Sequence, residues 1–205
     1  ARYDRERTGD VAPPTARALA ERIERYAGDC DVILLEDYNK GVLVPTVIEA
    51  ALDAGRREGI PVVVDPKAEH FFDYRGATVF KPNLPELAAA LRAPVDPDDA
   101  AWLERTRRHL DCAHLMITLG ERGMALVSET GEHLRAPTVA RSVYDVSGAG
   151  DTVIATLGIV LAAGGTVAEA ALLANHAAGV EVGKAGVATV TPAEILDALE
   201  RVLRA

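Results

Sequence analysis

The chain has 205 residues, 49% of them hydrophobic and only 4% aromatic, enough to bury one substantial core in a single domain. Its formal net charge of −9 argues against sequence-independent nucleic-acid binding, which draws on clustered basic residues to release counterions. The longest apolar run, Val153 to Ala163, stops at Gly164-Gly165, short of the roughly 20 residues that cross a bilayer, and Cys30 and Cys112 make neither a CxxC pattern nor a disulfide framework. A soluble, cytoplasmic protein with no membrane partner is expected.

Taken in order, Ala1 to Asp10 is highly charged, with no apolar signal-peptide core. Pro13-Pro14 opens a helix whose apolar positions Leu19 and Ile23 run toward Gly28. Short apolar runs at Asp31 to Glu36, Val62 to Val64, Ala77 to Phe80 and Leu115 to Leu119 are mostly separated by helical patterns, the signature of βα units. One helix runs from Pro45 to Glu58 and ends at Gly59; another runs from Pro97 to Leu110 with Asp96 as N-cap. Two short strands between Gly123 and Ala136, around Glu129-Thr130-Gly131-Glu132, read as a hairpin at one edge of the sheet. The rest turns helical: Gly148 to Ala163, Thr166 to Gly183, then a short strand Val187 to Val190 and a terminal helix capped by Thr191-Pro192-Ala193-Glu194. The expected fold is α/β: one domain over residues 1–205, with a doubly wound, mostly parallel sheet, helices on both faces and a short β-hairpin.

Open parallel sheets bind ligands beyond the carboxyl ends of their strands. The sequence places Glu36, Asp37 and Lys40 after the first apolar run and Asp65 and Lys67 after the second; Lys81, Asn83 and Glu86 follow the third, and Thr118, Gly120 and Glu121 the fourth. All four Lys (40, 67, 81 and 184) sit in punctuated loops, where a flexible point charge can reach phosphate. The sharpest signal is Asp145-Val146-Ser147-Gly148-Ala149-Gly150-Asp151-Thr152, a small-residue bend leading into an Ala-rich helix. Such a bend lets backbone approach a ligand, and the free amides of the helix's first turn form an anion hole. A carboxylate there can take the proton of an attacking hydroxyl while the amides stabilise a phosphoryl group in transfer. Each feature also has a plainer explanation. Asp151 reads equally as a helix N-terminal carboxylate, Asn83 with Glu86 as a capping box, and Asn175 as a satisfied core amide. The spacing is neither the dinucleotide fingerprint nor a Walker A loop.

Asp145 to Thr152 resembles the DxxGAGD signature of the ribokinase-like (PfkB) carbohydrate kinases. The resemblance implies that Asp151 is the catalytic base and that the amides of Gly148, Ala149 and Gly150 form the anion hole. Asp145 and Ser147 match positions near a monovalent-cation (K⁺) site in some members. Asn83-Leu84-Pro85-Glu86 is similar to the NxxE motif that organises Mg²⁺ and phosphate through water. Thr118 and Gly120, in Thr118-Leu119-Gly120-Glu121-Arg122-Gly123, look like the turn on the ATP side, and Asn175 matches an Asn near the adenine.

Asp37-Tyr38-Asn39-Lys40-Gly41, Val64-Asp65-Pro66-Lys67, Tyr74-Arg75-Gly76-Ala77-Thr78 and Val182-Gly183-Lys184-Ala185-Gly186 together resemble the heptose-7-phosphate kinase type. That likeness implies ATP-dependent phosphorylation at O1, with Lys67 and Lys184 toward the nucleotide and Asp37 and Lys40 toward the sugar phosphate. The resemblance begins partway into the family's pattern, so the first strands, a sugar-holding glycine pair and most of a small lid fall outside it, with residues 1–10 a remnant of that region. A non-catalytic nucleotide- or sugar-phosphate-binding module, or a kinase for ribose, fructose or a nucleoside, remains open, and an exposed sheet edge would favour a homo-oligomer.

Overall fold

Six strands form one sheet in the order in which they occur along the chain: β1 (Ile33–Glu36), β2 (Val62–Asp65), β3 (Val79–Phe80), β4 (His114–Thr118), β5 (Met124–Ser128) and β6 (His133–Ala136). The computed structural model describes residues 8–140, 143–186 and 188–204. Strands β1 to β4 are parallel; β5 and β6 add an antiparallel hairpin at the far edge, as the alternating pattern around Gly131 implied. Among the described strands the order never reverses, so the second face is reached only when the chain crosses back after β6. Every residue of β2 is buried, which is why Val62-Val63-Val64 reads as a continuous apolar run.

Helices cover both faces. On one lie α2 (Pro45–Glu58), α3 (Leu84–Leu91) and α4 (Ala100–Leu110), packed on Leu35, Val62, Val64, Phe80, Leu115 and Ile117. On the other lie α5 (Ala149–Ala162) and α6 (Val167–Glu181), packed on Val63, Val79, Met116 and Leu126. Outside these sit α1 (Pro13–Tyr26), against α2, and α7 (Pro192–Leu203), against α6. No described helix is long and apolar enough to cross a membrane.

Helix α5 lies close on β1 at Gly158, where an added Cβ would come 2.7 Å from Leu34 Cδ2 and push that side chain aside, and the same approach carries the start of α5 over the ends of β1 and β2.

Two expectations are corrected. The Pro97 helix starts at Ala100, because Asp99, not Asp96, accepts the Ala101 amide (2.8 Å), while Asp96 closes a turn on Asp98 N. No strand forms over residues 188–190: Thr189 O instead accepts from Lys184 Nζ (2.8 Å), tying the segment into a local loop. Val187 lies outside the described residues. The segment from Asn83, read only as a possible cap, opens a complete helix, α3.

Candidate active site

In a strand, alternate side chains share a face, and here that parity selects the site. Leu34, Val63 and Val79 are register neighbours facing α5, so Glu36, Asp65 and Lys81, two residues further along each strand line, share that face just past the packed core. Lys81 (3% exposed) and Asp65 (6%) form a 2.8 Å ion pair, the arrangement a buried charge requires. Lys67 Nζ lies 3.7 Å from the other Asp65 oxygen and pairs with Glu86 Oε1. Glu86 Oε2 accepts the Asn83 amide (2.9 Å) while Asn83 Oδ1 accepts the Glu86 amide (2.8 Å). A continuous polar chain, Lys81–Asp65–Lys67–Glu86–Asn83, therefore runs along the strand ends. Thr118 joins it, since its amide donates to Pro82 O (3.1 Å) and it bridges to Asn83.

The bend before α5 faces the same rim. Asp145 Oδ1 accepts the Ser147 amide (2.9 Å), which holds the Asp145 carboxyl below its usual range and closes the turn. Gly148 then takes φ 96°, a conformation that glycine adopts without strain. The Gly148 and Gly150 amides have no hydrogen-bond partner among the described residues, whereas Ala149 N reaches Val146 O at 3.3 Å. The implied three-amide anion hole is thus two free amides, with Ala149 turned into the bend. A methyl at Gly150 would lie 3.5 Å from Asp65 Oδ2, which shows how closely this first turn abuts the rim.

Asp151 is exposed at that turn and points toward β1. The Tyr38 hydroxyl donates to Asp151 Oδ1 (2.8 Å) and lies 3.2 Å from Glu36 Oε1. The Glu36 carboxyl is pushed up to about 7, chiefly by burial and then by its hydrogen bond to Asp151 and the charges of Asp151 and Asp65. Asp151 is held below the usual range by the hydrogen bonds from Glu36 and Tyr38 and by the charge of Lys81, burial opposing them. Of the two carboxyls Asp151 therefore ionises first.

Other expected residues fall elsewhere. Asp37 is on the opposite strand parity: it is buried, accepting the Tyr74 hydroxyl (2.9 Å) and the Asn39 amide (2.8 Å), so it braces the loop. Lys40, in that loop, holds its ammonium 5.7 Å from the centre of the Tyr38 ring, beside Asp151's partner. Asn175 is 5% exposed and donates to Pro137 O (2.7 Å), a core amide pinning α6 to the segment after β6. Lys184 bonds Thr189 O and pairs with Glu194 (2.6 Å), so its charge is spent within its own loop. Gly120, at φ 60°, has open space beside its α-carbon. Sequence reading placed Glu36, Asp65 and Lys81 beyond the strand ends without giving any of them a catalytic role, and it noted Tyr38 only within the segment Asp37 to Gly41. Strand parity was the signal for Glu36, Asp65 and Lys81, and nothing local marked Tyr38.

A cavity of about 610 Å³ runs along α5 from Gly148 and Asp151 past Ala155 and Ile159 to Leu173 and Ile195, and its walls are mainly apolar.

Fold and rim together define an α/β protein whose polar site lies at the strand ends, beneath a glycine-rich helix start. The chain belongs to the pfkB family of carbohydrate kinases, whose model matches residues 8–194. It is 44% identical over 200 residues to the bifunctional protein HldE of Geobacter sulfurreducens, covering 97% of this chain and 41% of that protein. It is 46% identical over 202 residues to the HldE of Pelobacter propionicus, again covering 97% and 41%. The chain thus spans about two-fifths of these relatives. Among solved structures, Escherichia coli phosphofructokinase-2 in complex with potassium superposes with a TM-score of 0.81 at 17% identity, over 95% of this chain and 64% of that one. Arabidopsis thaliana ribokinase complexed with ribose and ATP gives 0.73 at 18% identity, over 93% and 60%. These likenesses confirm the ribokinase-like fold.

Proposed function

We propose that the chain carries the phosphoryl-transfer site of an ATP-dependent sugar kinase, acting on a heptose 7-phosphate at its anomeric O1 to give the 1,7-bisphosphate. The observation that carries this reading is the start of α5: an ionised carboxylate, Asp151, stands in the same first turn as the free amides of Gly148 and Gly150. The acceptor hydroxyl attacks the γ-phosphorus of ATP, Asp151 takes its proton, and ADP leaves with the electrons of the broken P–O bond. The two amides, aided by the dipole of α5, stabilise the charge on the phosphoryl oxygens. Thr118 and Gly120 offer a close backbone approach for the nucleotide, and Lys40 and Lys67 offer cationic reach to phosphate. HldE relatives at 44% and 46% identity support the heptose assignment.

Mg²⁺ fits this rim in one mode. Both Glu86 oxygens already accept hydrogen bonds, so Glu86 and Asn83 would hold the ion through its water shell, as Mg²⁺ commonly permits. The ion supplies positive charge that draws the nucleotide phosphates together. A monovalent cation also fits near Asp145 and Ser147. The Tyr144 amide docks on Val182 O (2.8 Å), and the carboxyl of Glu181, 0% exposed, is held above its usual range by burial and then by the charge of Asp145, an excess of negative charge that a cation would offset. A homo-oligomer belongs to the same reading, supported by the tetrameric inhibited form of E. coli phosphofructokinase-2.

Asp151→Asn is the direct test. Turnover is expected to fall about 10²–10⁴-fold, the usual contribution of a general base, with ATP affinity retained by calorimetry. Undiminished turnover overturns the assignment. A panel of sugar phosphates, ribose, fructose and nucleosides identifies the acceptor, and ATP binding with no product from any of them would favour a non-catalytic binding module.

A further inference from the structure

The proposed base has a neighbour that the family signature does not include. Glu36, at the end of β1, and Asp151, at the start of α5, are separated by more than a hundred positions, yet both meet the same tyrosine hydroxyl. One O–H can be donated fully only once. The shorter contact, 2.8 Å, gives it to Asp151, so the 3.2 Å contact to Glu36 is favourable when Glu36 itself carries a proton to share with the tyrosine oxygen or with Asp151. Two adjacent carboxyl groups seldom both ionise cheaply, and a single proton between them resolves the conflict.

We propose that Glu36 and Asp151 form a proton-sharing carboxyl dyad, clamped by Tyr38, and that this dyad rather than Asp151 alone accepts the proton of the sugar hydroxyl. The proposal rests on the kinase reading above. With Glu36 ionised, the hydroxyl proton passes to Asp151 and is then held between the two carboxylates as the new O–P bond forms and ADP departs. With Glu36 already protonated, that second acceptor is filled, and Asp151, stabilised by the hydrogen bond it receives, is the weaker base. Glu36 thus acts through Asp151, as a positioning and proton-sharing residue.

The groups facing Glu36 favour this arrangement. Asp65 is its register neighbour on β2 and adds negative charge that makes ionisation of Glu36 harder. Lys81 partly offsets this through its pair with Asp65 and through its charge on Asp151. Lys67 lies beyond Asp65, toward Glu86, and Lys40 holds its ammonium 5.7 Å from the centre of the Tyr38 ring. The rise of Glu36 to about 7 agrees with the geometry and sets the pH range in which the dyad changes charge.

The test is the pH dependence of kcat at saturating ATP and sugar phosphate. For the unaltered protein kcat is expected to rise with pH through a limb near 7. In Glu36→Gln, which keeps the shape and a hydrogen-bond donor, the limb should move down by about two pH units into the ordinary carboxylate range. Its high-pH plateau should fall about tenfold, because the remaining base is weaker. Glu36→Ser, which removes the carboxyl and leaves a smaller side chain, should shift the limb in the same direction, and it decides the matter if the Gln variant does not fold. Tyr38→Phe should broaden the limb and lower the plateau less.

A limb unmoved in whichever Glu36 variant folds overturns the dyad. The kinase reading fails separately: Asp151→Asn with undiminished turnover would sink it. An inactive Asp151→Asn beside an unmoved limb sinks the dyad alone.

Discussion

The starts of α3 and α7 carry the same local chemistry. Asn83 and Glu86 form a reciprocal capping box, as do Thr191 and Glu194, and in each a proline follows the cap within the first turn. In each, a lysine from an earlier loop pairs with the box glutamate: Lys67 with Glu86, Lys184 with Glu194. What differs is the surroundings. Lys67 also approaches Asp65, and through it joins the buried Lys81 pair at the strand ends. Lys184 turns back to Thr189 O and leaves its pair within residues 184–194. Identical helix-start devices therefore become part of a site or remain scaffolding according to whether the sheet delivers charge beside them.

Glutamine substitution breaks the likeness most sharply. Glu86→Gln should lower kcat/KM for Mg-ATP about 10–100-fold, the usual cost of losing a residue that orients a metal's outer sphere. Glu194→Gln should leave steady-state turnover unchanged. If the two variants behave alike in a coupled ADP-release assay, the Glu86 box is scaffolding too.

The same contrast marks what the sequence could and could not reveal. Both boxes were visible as N-x-x-E and T-x-x-E, because capping involves residues three apart, and the four parallel strands were visible as apolar runs between helical patterns. The small-residue bend before Asp151 was equally plain. The pairing of Lys184 with Glu194 depends on how residues 184–194 fold back, which no local pattern encodes. Asp37 was preferred to Glu36, although strand alternation puts Asp37 with Leu35 on the α2 face and Glu36 with Leu34 beneath α5. Tyr38 meets Asp151 only where α5 settles on β1, a tertiary condition invisible to spacing. The strand expected at 187–190 shows the opposite error, since residues 188–190 take no sheet partner.

Stability should treat the two boxes alike where activity does not. Asn83→Ala and Thr191→Ala each remove a side-chain oxygen that accepts the N3 amide, at 2.8 Å and 3.3 Å, and each should cost about 1 kcal/mol in denaturant unfolding. Equal losses paired with unequal turnover would locate the difference between the boxes in their neighbours. A loss confined to one box would show instead that the other is held by its packing.

The smallest expected effect is in acid. The Glu194 carboxyl is pushed down to about 2, first by Lys184 and then by the amide and hydroxyl of Thr191, all of which favour the charged form. A carboxyl whose folded value lies below its unfolded one binds fewer protons when folded. Its contribution is therefore complete above about 4.5 and is lost as pH falls from there through about 2. Glu194→Gln should flatten the decline of Tm over that window and leave Tm near pH 7 slightly lower, since the pair is partly exposed and weakened by solvent. Lys184→Met should do the same, because it removes the largest cause of the shift. If Lys184→Met leaves the acid limb as steep as in the unaltered protein, the Lys184 pair does not hold the start of α7, and the likeness between the two boxes ends at their backbone hydrogen bonds.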